Sequence, residues 1–291
     1  MIRPMHAAAD VSNAPGPFIT YVTVSLNAVR TIEDTLASVA MQQVGFPIEH
    51  ICVDGGSTDG TRALIDDWAS RPGSRIERIY EPDKGLFDAM NKGLRAARGE
   101  YVHFLNADDF LLSADVTERA MRGLTQGAAD NPDLVVGDVT MGNPEQPGMW
   151  RRRRTPRVIA RRSGTGFFPL HQAMFTKRTV LERVGGFDSK QRIAGDVSQY
   201  YDIERVCRPS IRIVDLDIAF MRHGGVSNAN LRAVYNGSME IFRHLRPVYG
   251  TLRSAFMLGM KTLQSISEVR YGVPPHGRWF KAALRENRKS A

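Results

Sequence analysis

The sequence predicts an α/β domain, a mostly parallel sheet flanked by helices, and three observations carry that prediction. Short β-branched and aromatic runs alternate with segments of helical spacing from residue 18 to residue 140, the pattern of a parallel sheet covered on both faces. The runs are apolar along most of their length, as buried strands are. Acids, asparagines and glycines follow the runs, and ligands of such sheets gather at the carboxyl ends of the strands.

The first strand is FITYVTVSL, residues 18–26, rich in side chains that fit a pleated surface. A turn at 27–30 leads into a helix over 31–43, where Ile32, Leu36, Val39 and Ala40 share one face. Strand 49–53 and helix 61–69 come next, joined by VDGGSTDG, whose glycines allow a tight turn and a close ligand. Strand 76–80, helix 86–97, strand 101–105, helix 114–124 and strand 134–140 continue the alternation. After Gly142 the rhythm breaks into prolines, the run Arg151-Arg152-Arg153-Arg154 and Gly164-Thr165-Gly166, a loop-rich stretch of the kind that is usually functional. Helix 178–184 closes at Gly185-Gly186, and a helix over 197–207 and a strand over 211–219 follow. From Ala233 the chain reads as helical and basic, with breaks at Pro247 and Pro274-Pro275.

The 291 residues are 42% hydrophobic and 24% charged, with a formal net charge of +8. Such a composition is globular, and the positive balance favours anionic partners, whether phosphates or an acidic membrane face. Cys52 and Cys207 suggest no disulfide framework and a reducing, cytoplasmic setting. Residues 1–17 lack the apolar core of a signal peptide and read as a disordered tail. No run approaches the ~18 apolar residues of a spanning helix, so a soluble or peripheral protein is expected. No nucleic-acid module is recognisable.

Three of the first four strand ends carry carboxylates: Asp54, then Asp83 in Glu81-Pro82-Asp83-Lys84-Gly85, then Asp108 and Asp109 after Asn106. Clustered carboxylates repel unless a cation holds them, and an open oxygen-rich site suits Mg2+ or Mn2+ bridging to phosphates. One such tip is ordinary turn chemistry. Three in succession, with Asp88, Asn91 and Lys92 on the following helix, read as a site. Gly55, Gly56 and Gly60 do not form the dinucleotide fingerprint, and no phosphate-loop motif occurs.

The segments VTVSLNAVRTIEDTLASVAMQ, VDGGSTDGT, EPDKGLFDAMNKGLRAARGEYVHFLNADD, HQAMFTKRTVLERVGGFD and IAGDVSQYYDI, in that order, resemble the family 2 glycosyltransferases of GT-A (Rossmann-like) fold. The similarity is greatest to enzymes of bacterial exopolysaccharide, colanic-acid-type and glycolipid synthesis, and it covers residues 19–228. It implies a nucleotide-binding half over about 18–140, an acceptor half over about 141–228 and a helical basic extension over 229–291.

By the same resemblance, Asn27, Asp54, Asp83, Lys84, Asn91 and Asn106 would bind a nucleotide-sugar donor. Many relatives carry a second acid after the first, where this chain has Gly55, which leaves a GDP or UDP donor open. LNADD resembles the metal-binding DXD motif with Asn106 in the first place, so Asp108 and Asp109 would hold a divalent Mn2+ or Mg2+, joined by His223. Asp196 would be the general base on the acceptor hydroxyl, a role that calls for a raised pKa. Taken alone, it would simply cap a helix beginning at Val197. His171 and Gln172 would stand on the acceptor side.

The expected activity is inverting, non-processive transfer of one sugar to a saccharide or lipid-linked acceptor, since no QxxRW signature of processive synthases occurs. Arg151 to Arg154, with Arg157, Arg161 and Arg162, would form a solvated turn or face anionic lipid or an acceptor pyrophosphate. The tail, with Arg246, Arg253, Lys261, Arg270, Arg278, Trp279, Phe280 and Lys281, could lie as an interfacial helix on the inner face of the cell membrane. Two alternatives stand beside this reading. A sugar nucleotidyltransferase would need a glycine-rich phosphate loop where Asn27-Ala28-Val29-Arg30 stands. A non-catalytic carbohydrate- or anion-binding protein would use the basic surface alone.

Overall fold

The computed structural model describes residues 16–145, 150–160, 165–222, 231–266 and 269–270. Strand β1 (Ile19–Ser25) is buried at every position, because it runs between two parallel neighbours, β2 (Ile48–Asp54) and β4 (Tyr101–Phe104). Strand β3 (Ile76–Tyr80) adds in parallel outside β2. The chain thus steps outward from β1 to β2 and β3 and then crosses back to β4 on the other side of β1, and a crevice opens at the carboxyl ends of the strands where the order reverses.

Helix α1 (Ile32–Ala40) buries Ile32 and Leu36 beside Cys52, Ile65 and Trp68, the last two from α2 (Thr61–Ser70). Helix α3 (Leu86–Ala96) lies so close to β1 that a Cβ on Gly93 would stand 2.3 Å from Val22. The opposite ends of the strands are tied by a polar cluster. Thr20 Oγ1 donates to Glu49 at 2.7 Å and accepts the Gly99 N–H at 2.8 Å, while Arg98 pairs with Glu49.

Beyond β4 the sheet departs from the expected mostly parallel arrangement and becomes mixed. Strand β6 (Leu134–Gly142) pairs in parallel with β9 (Ile211–Arg222) and antiparallel with β7 (Arg151–Arg153). Strand β8 (Met174–Lys177) inserts antiparallel to both β4 and β6. Strand β8 carries no signal in the sequence, since Phe175 and Thr176 are both buried and the segment lacks alternation. Also missed is the two-residue β5 (Phe110–Leu111), which pairs with β9, and β10 (Val269–Arg270) pairs with β7. Helix α4 spans only Val116–Ala120, shorter than expected, because the chain turns at Gly123 with φ of 78°.

The arginine run needs correcting too. Residues 151–153 form a strand and not a turn, and β7 holds Arg152 against Asp138 (3.0 Å), Asp215 (3.2 Å) and Asp217 (2.8 Å), while Arg154 and Arg157 are exposed. Arg161 and Arg162 lie outside the described residues.

Helix α5 (Arg178–Arg183) and helix α6 (Gly195–Cys207) follow the expected positions, α6 starting earlier than Val197. Helix α7 (Leu231–Ile266) runs straight through Pro247 and breaks at Gly250, φ 76° and ψ 170°, so the expected proline break falls at a glycine instead. Pro274, Pro275 and the residues beyond them, like residues 1–15, lie outside the described part of the chain.

Gly99 generates a test of the strand-end cluster. A Cβ there would stand 2.5 Å from the Thr20 backbone nitrogen, which cannot move without shifting β1. Gly99→Ala should cost ~1–3 kcal/mol, read as a lower urea midpoint at unchanged slope.

Candidate active site

Asp54 ends β2 with its side chain fully buried. A buried carboxylate must be compensated, and the VDGGSTDG turn does this by wrapping around it. Oδ1 accepts the backbone N–H of Gly56 (3.1 Å) and Ser57 (2.9 Å) and pairs with Arg62 Nε at 2.6 Å. Oδ2 accepts the hydroxyls of Ser25 (2.9 Å) and Ser57. Burial alone would raise its pKa, but the hydrogen bonds from Ser57, Arg62 and Ser25 outweigh it and hold the group below the usual range. Ser25, Ser57 and Arg62 were not singled out from the sequence, and no local spacing marks Arg62 as the partner.

Asn27 takes a positive φ of 52° at the end of β1, where its Oδ1 accepts the Thr58 N–H at 2.9 Å and its own N–H donates to Ser57 Oγ at 2.7 Å. It therefore pins the turn that surrounds Asp54. Gly55 is forced. A Cβ there would lie 1.8 Å from Asp83 Oδ2, so the Asp83 carboxylate fills the space a side chain at 55 would need. Asp83 Oδ1 also accepts the Gly85 N–H at 2.9 Å, shaping the turn into α3. Lys84 is exposed at the tip of that turn, and its carbonyl accepts Arg192 Nη1 at 2.7 Å.

Asn91 sits differently from expectation. Its Nδ2 donates to the Phe187 carbonyl and its Oδ1 accepts the Phe187 N–H, both at 2.8 Å. Its amide is committed to clamping the loop after α5 rather than to a donor.

The loop after β4 divides its two acids. Asp108 is partly exposed, while Asp109 is buried and turned inward, where it accepts Gln172 Nε2 at 3.0 Å and the Arg222 N–H at 3.2 Å. Burial and the Asp108 charge push its carboxyl well above the usual range, against the pull of Gln172 and Arg222. The expected metal role of Asp109 and acceptor role of Gln172 are thereby replaced by a contact with each other. Arg222, another residue the sequence did not flag, braces this loop by donating to the Asp108 carbonyl and pairing with Asp34 of α1.

One polar chain crosses the crevice. Asn106 Nδ2 lies 3.3 Å from His171 Nε2, and His171 Nδ1 lies 3.2 Å from Asp196 Oδ2. An amide NH2 can only donate, so His171 accepts on Nε2 and offers the Nδ1 proton to Asp196. Asp196 lies within the first turn of α6, whose N-cap is Ala194, so the simple capping alternative does not hold. Burial would raise the Asp196 pKa, but the hydrogen bond from His171, the Val197 N–H and the Lys261 charge hold it below the usual range, contrary to the raised value expected. Lys261 comes from α7, and burial lowers its own pKa.

The buried Oδ1 of Asn106 has no hydrogen-bond partner among the described residues. With the Asp108 carboxylate two positions on, it offers oxygen donors of the kind hard divalent cations take. No group of three or more His, Cys, Asp and Glu side chains gathers as a ready-made metal cluster among the described residues. His223 lies outside them.

Comparison with known proteins gives three findings. The profile of Glycosyl transferase family 2 matches residues 20–185. A PGL/p-HBAD biosynthesis glycosyltransferase of Mycobacterium tuberculosis is 30% identical over 217 residues, covering 73% of this chain and 80% of that protein. Among solved structures, S. aureus TarS 1-349 in complex with UDP-GlcNAc aligns with a TM-score of 0.61 at 16% identity, over 86% of this chain and 72% of that one. The mannosyltransferase PcManGT from Pyrobaculum calidifontis, in complex with GDP-Man and Mn2+, aligns with a TM-score of 0.56 at 21% identity, over 99% of this chain and 84% of that one. At these identities the two structures speak to the fold, which is that of the GT-A glycosyltransferases.

Asp54 yields a pH prediction. Its folded pKa is depressed, so its stabilisation is present above the ordinary carboxylate value near about 4 and is lost as pH falls through the folded value. Asp54→Asn should lose ~1–3 kcal/mol at pH 7, and the urea stabilities of variant and wild type should converge only at strongly acid pH.

Proposed function

The chain belongs to glycosyl transferase family 2 and is a glycosyltransferase, and we propose that it moves one sugar, with inversion, from a nucleotide diphosphate to a hydroxyl of a saccharide or lipid-linked acceptor. This sets aside the nucleotidyltransferase and the non-catalytic binding protein. The observation that carries the reading is the chain Asn106–His171–Asp196, which joins the loop bearing Asp108 to a carboxylate across the crevice.

On the donor side, Asn27 and Asp54 fix the VDGGSTDG turn, Asp83 presents its carboxylate above Gly55, and Lys84, exposed beside them, would pair with phosphate oxygens. A nucleoside diphosphate sugar fits this side, with the base left to UDP or GDP. Asp108 and the Asn106 Oδ1 would hold Mn2+ or Mg2+, and such an ion supplies positive charge to a leaving diphosphate. Asp109 stands behind them as a buried support.

On the acceptor side, Asp196 takes the proton of the attacking hydroxyl as the new bond forms at the anomeric carbon and the diphosphate departs with its electron pair. Its low pKa makes it a weak base, but keeps it ionised and ready at neutral pH. The rate then depends on placement and on proton loss that accompanies bond formation. His171 holds Oδ2 of this carboxylate at 3.2 Å.

Peripheral contact with the inner face of a cell membrane completes the proposal. Leu252 and Phe256, one turn apart on α7, are 89% and 59% exposed, and Val248 is 47% exposed. Arg246 and Arg253 are exposed on the same stretch, and no acid occurs from Ile241 to Ile266. An apolar stripe with basic flanks suits an anionic lipid surface. No helix among the described residues is long and apolar enough to cross a membrane.

Asp108→Asn and Asp196→Asn should each abolish sugar transfer with an unchanged melting temperature, and near wild-type activity in either refutes that residue's role. UDP or GDP should raise the melting temperature only with Mn2+ present, and the Asp108 variant should lose that shift. Leu252→Asp together with Phe256→Asp should reduce co-sedimentation with phosphatidylserine vesicles; undiminished sedimentation would discard the membrane contact.

A further inference from the structure

The loop ahead of Asp196 is gripped from a distant part of the chain. Glu240 of α7 accepts the Ile193 N–H at 2.9 Å and the Ala194 N–H at 3.0 Å on Oε2, and its two oxygens also share the Arg192 N–H at 3.2 and 3.3 Å. Ala194 is the N-cap of α6, and Asp196 is the second helical residue. The N–H of the N-cap residue lacks an intrahelical partner. Glu240 accepts it, together with the two N–H groups before it, and sets a negative charge near the positive end of the helix.

The rest of α7 is built for this approach. A Cβ on Gly237 would stand 2.9 Å from Ile193, so the helix can come this near only with glycine there. Ile241 and Leu245 are buried in the core, which fixes the helix in place. On the other side of the same loop, the Arg192 guanidinium donates to the Lys84 carbonyl at 2.7 Å, passing where a Cβ on Gly85 would lie 3.0 Å from it. Residues 192–194 are therefore tied by their backbone to α7 and by one side chain to the donor-side turn.

We infer that Glu240 is a positioning residue for sugar transfer, aiming Asp196 at the acceptor, and that Arg192 links this aim to the turn carrying Asp83 and Lys84. The inference rests on Asp196 as the base in the proposed function. Three groups bear on Asp196 directly: His171 from the short turn His171–Ala173, the Val197 N–H and Lys261 from the far half of α7. Glu240 touches none of them, and acts only through the backbone ahead of the acid.

The test is steady-state kinetics of the full chain with UDP-GlcNAc and GDP-mannose, water serving as the hydroxyl that takes the sugar, read as release of UDP or GDP and corrected for folded fraction, with Asp196→Asn alongside. Glu240→Ala should lower kcat on the order of ten- to a hundredfold while donor KM and the nucleotide thermal shift stay near wild type. Glu240→Gln, which keeps an acceptor oxygen, should recover part of the loss. Arg192→Ala should lower kcat and raise donor KM together. If Glu240→Ala does not fold, Glu240→Gln decides: reduced kcat at unchanged donor KM supports the inference. Wild-type kcat in the Glu240 variants beside an inactive Asp196→Asn overturns the positioning role and leaves the proposed function standing. An active Asp196→Asn overturns both.

Discussion

The active-site end of this sheet is organised by the cost of burying carboxylates. Asp54 and Asp109 each end up inside the protein at the tip of a strand, and an uncompensated charge there would be prohibitive. They are resolved in opposite ways. Asp54 recruits a guanidinium, two hydroxyls and two peptide N–H groups and stays ionised. Asp109 receives a neutral amide and a peptide N–H beside another acid, and its proton affinity rises. The first arrangement winds the VDGGSTDG turn into its shape, and the second locks Gln172, and with it the turn carrying His171, against the loop after β4. Much of the crevice is a consequence of satisfying these two groups.

What the sequence made legible, and what it hid, follows from the range of the interactions. The parallel half of the sheet was readable because each strand is a short buried run followed by a helix of matching period. Its strand-tip acids were readable because turn chemistry is local. The insertion of β8 was not, since a strand buried on both faces has no alternation to show. Asp108 and Asp109 both read as metal ligands, Asp108 first, yet neighbouring residues in a tight loop point to different sides, and Asp108 is partly exposed while Asp109 is buried. Arg152 read as part of a solvated run because its three carboxylate partners come from other strands. Glu240 gave no signal at all, its partners being peptide N–H groups some fifty residues earlier, at 192–194.

The C-terminal helix changes status as a result. From composition it is an appendage, helical and basic. In the structure its first half holds the backbone ahead of Asp196, and its second half brings Lys261 toward the same carboxylate and sets Met257 and Met260 against Gly166. The same helix turns Leu252 and Phe256 outward. An α-helix is only about 10 Å across, so whatever touches the outer face stands one helix diameter from the groups on the inner one.

The contact between Gly55 and Asp83 carries a consequence for how such a chain can change over generations. With the Asp83 carboxylate standing where a Cβ at 55 would go, and held there by the Gly85 N–H, any larger residue at 55 must push that carboxylate aside. Loss of Asp83 first would leave the site without that acid, and gain of an acid at 55 first would collide with it. The two positions are thus an epistatic pair, and the single-step routes between the two arrangements pass through impaired intermediates.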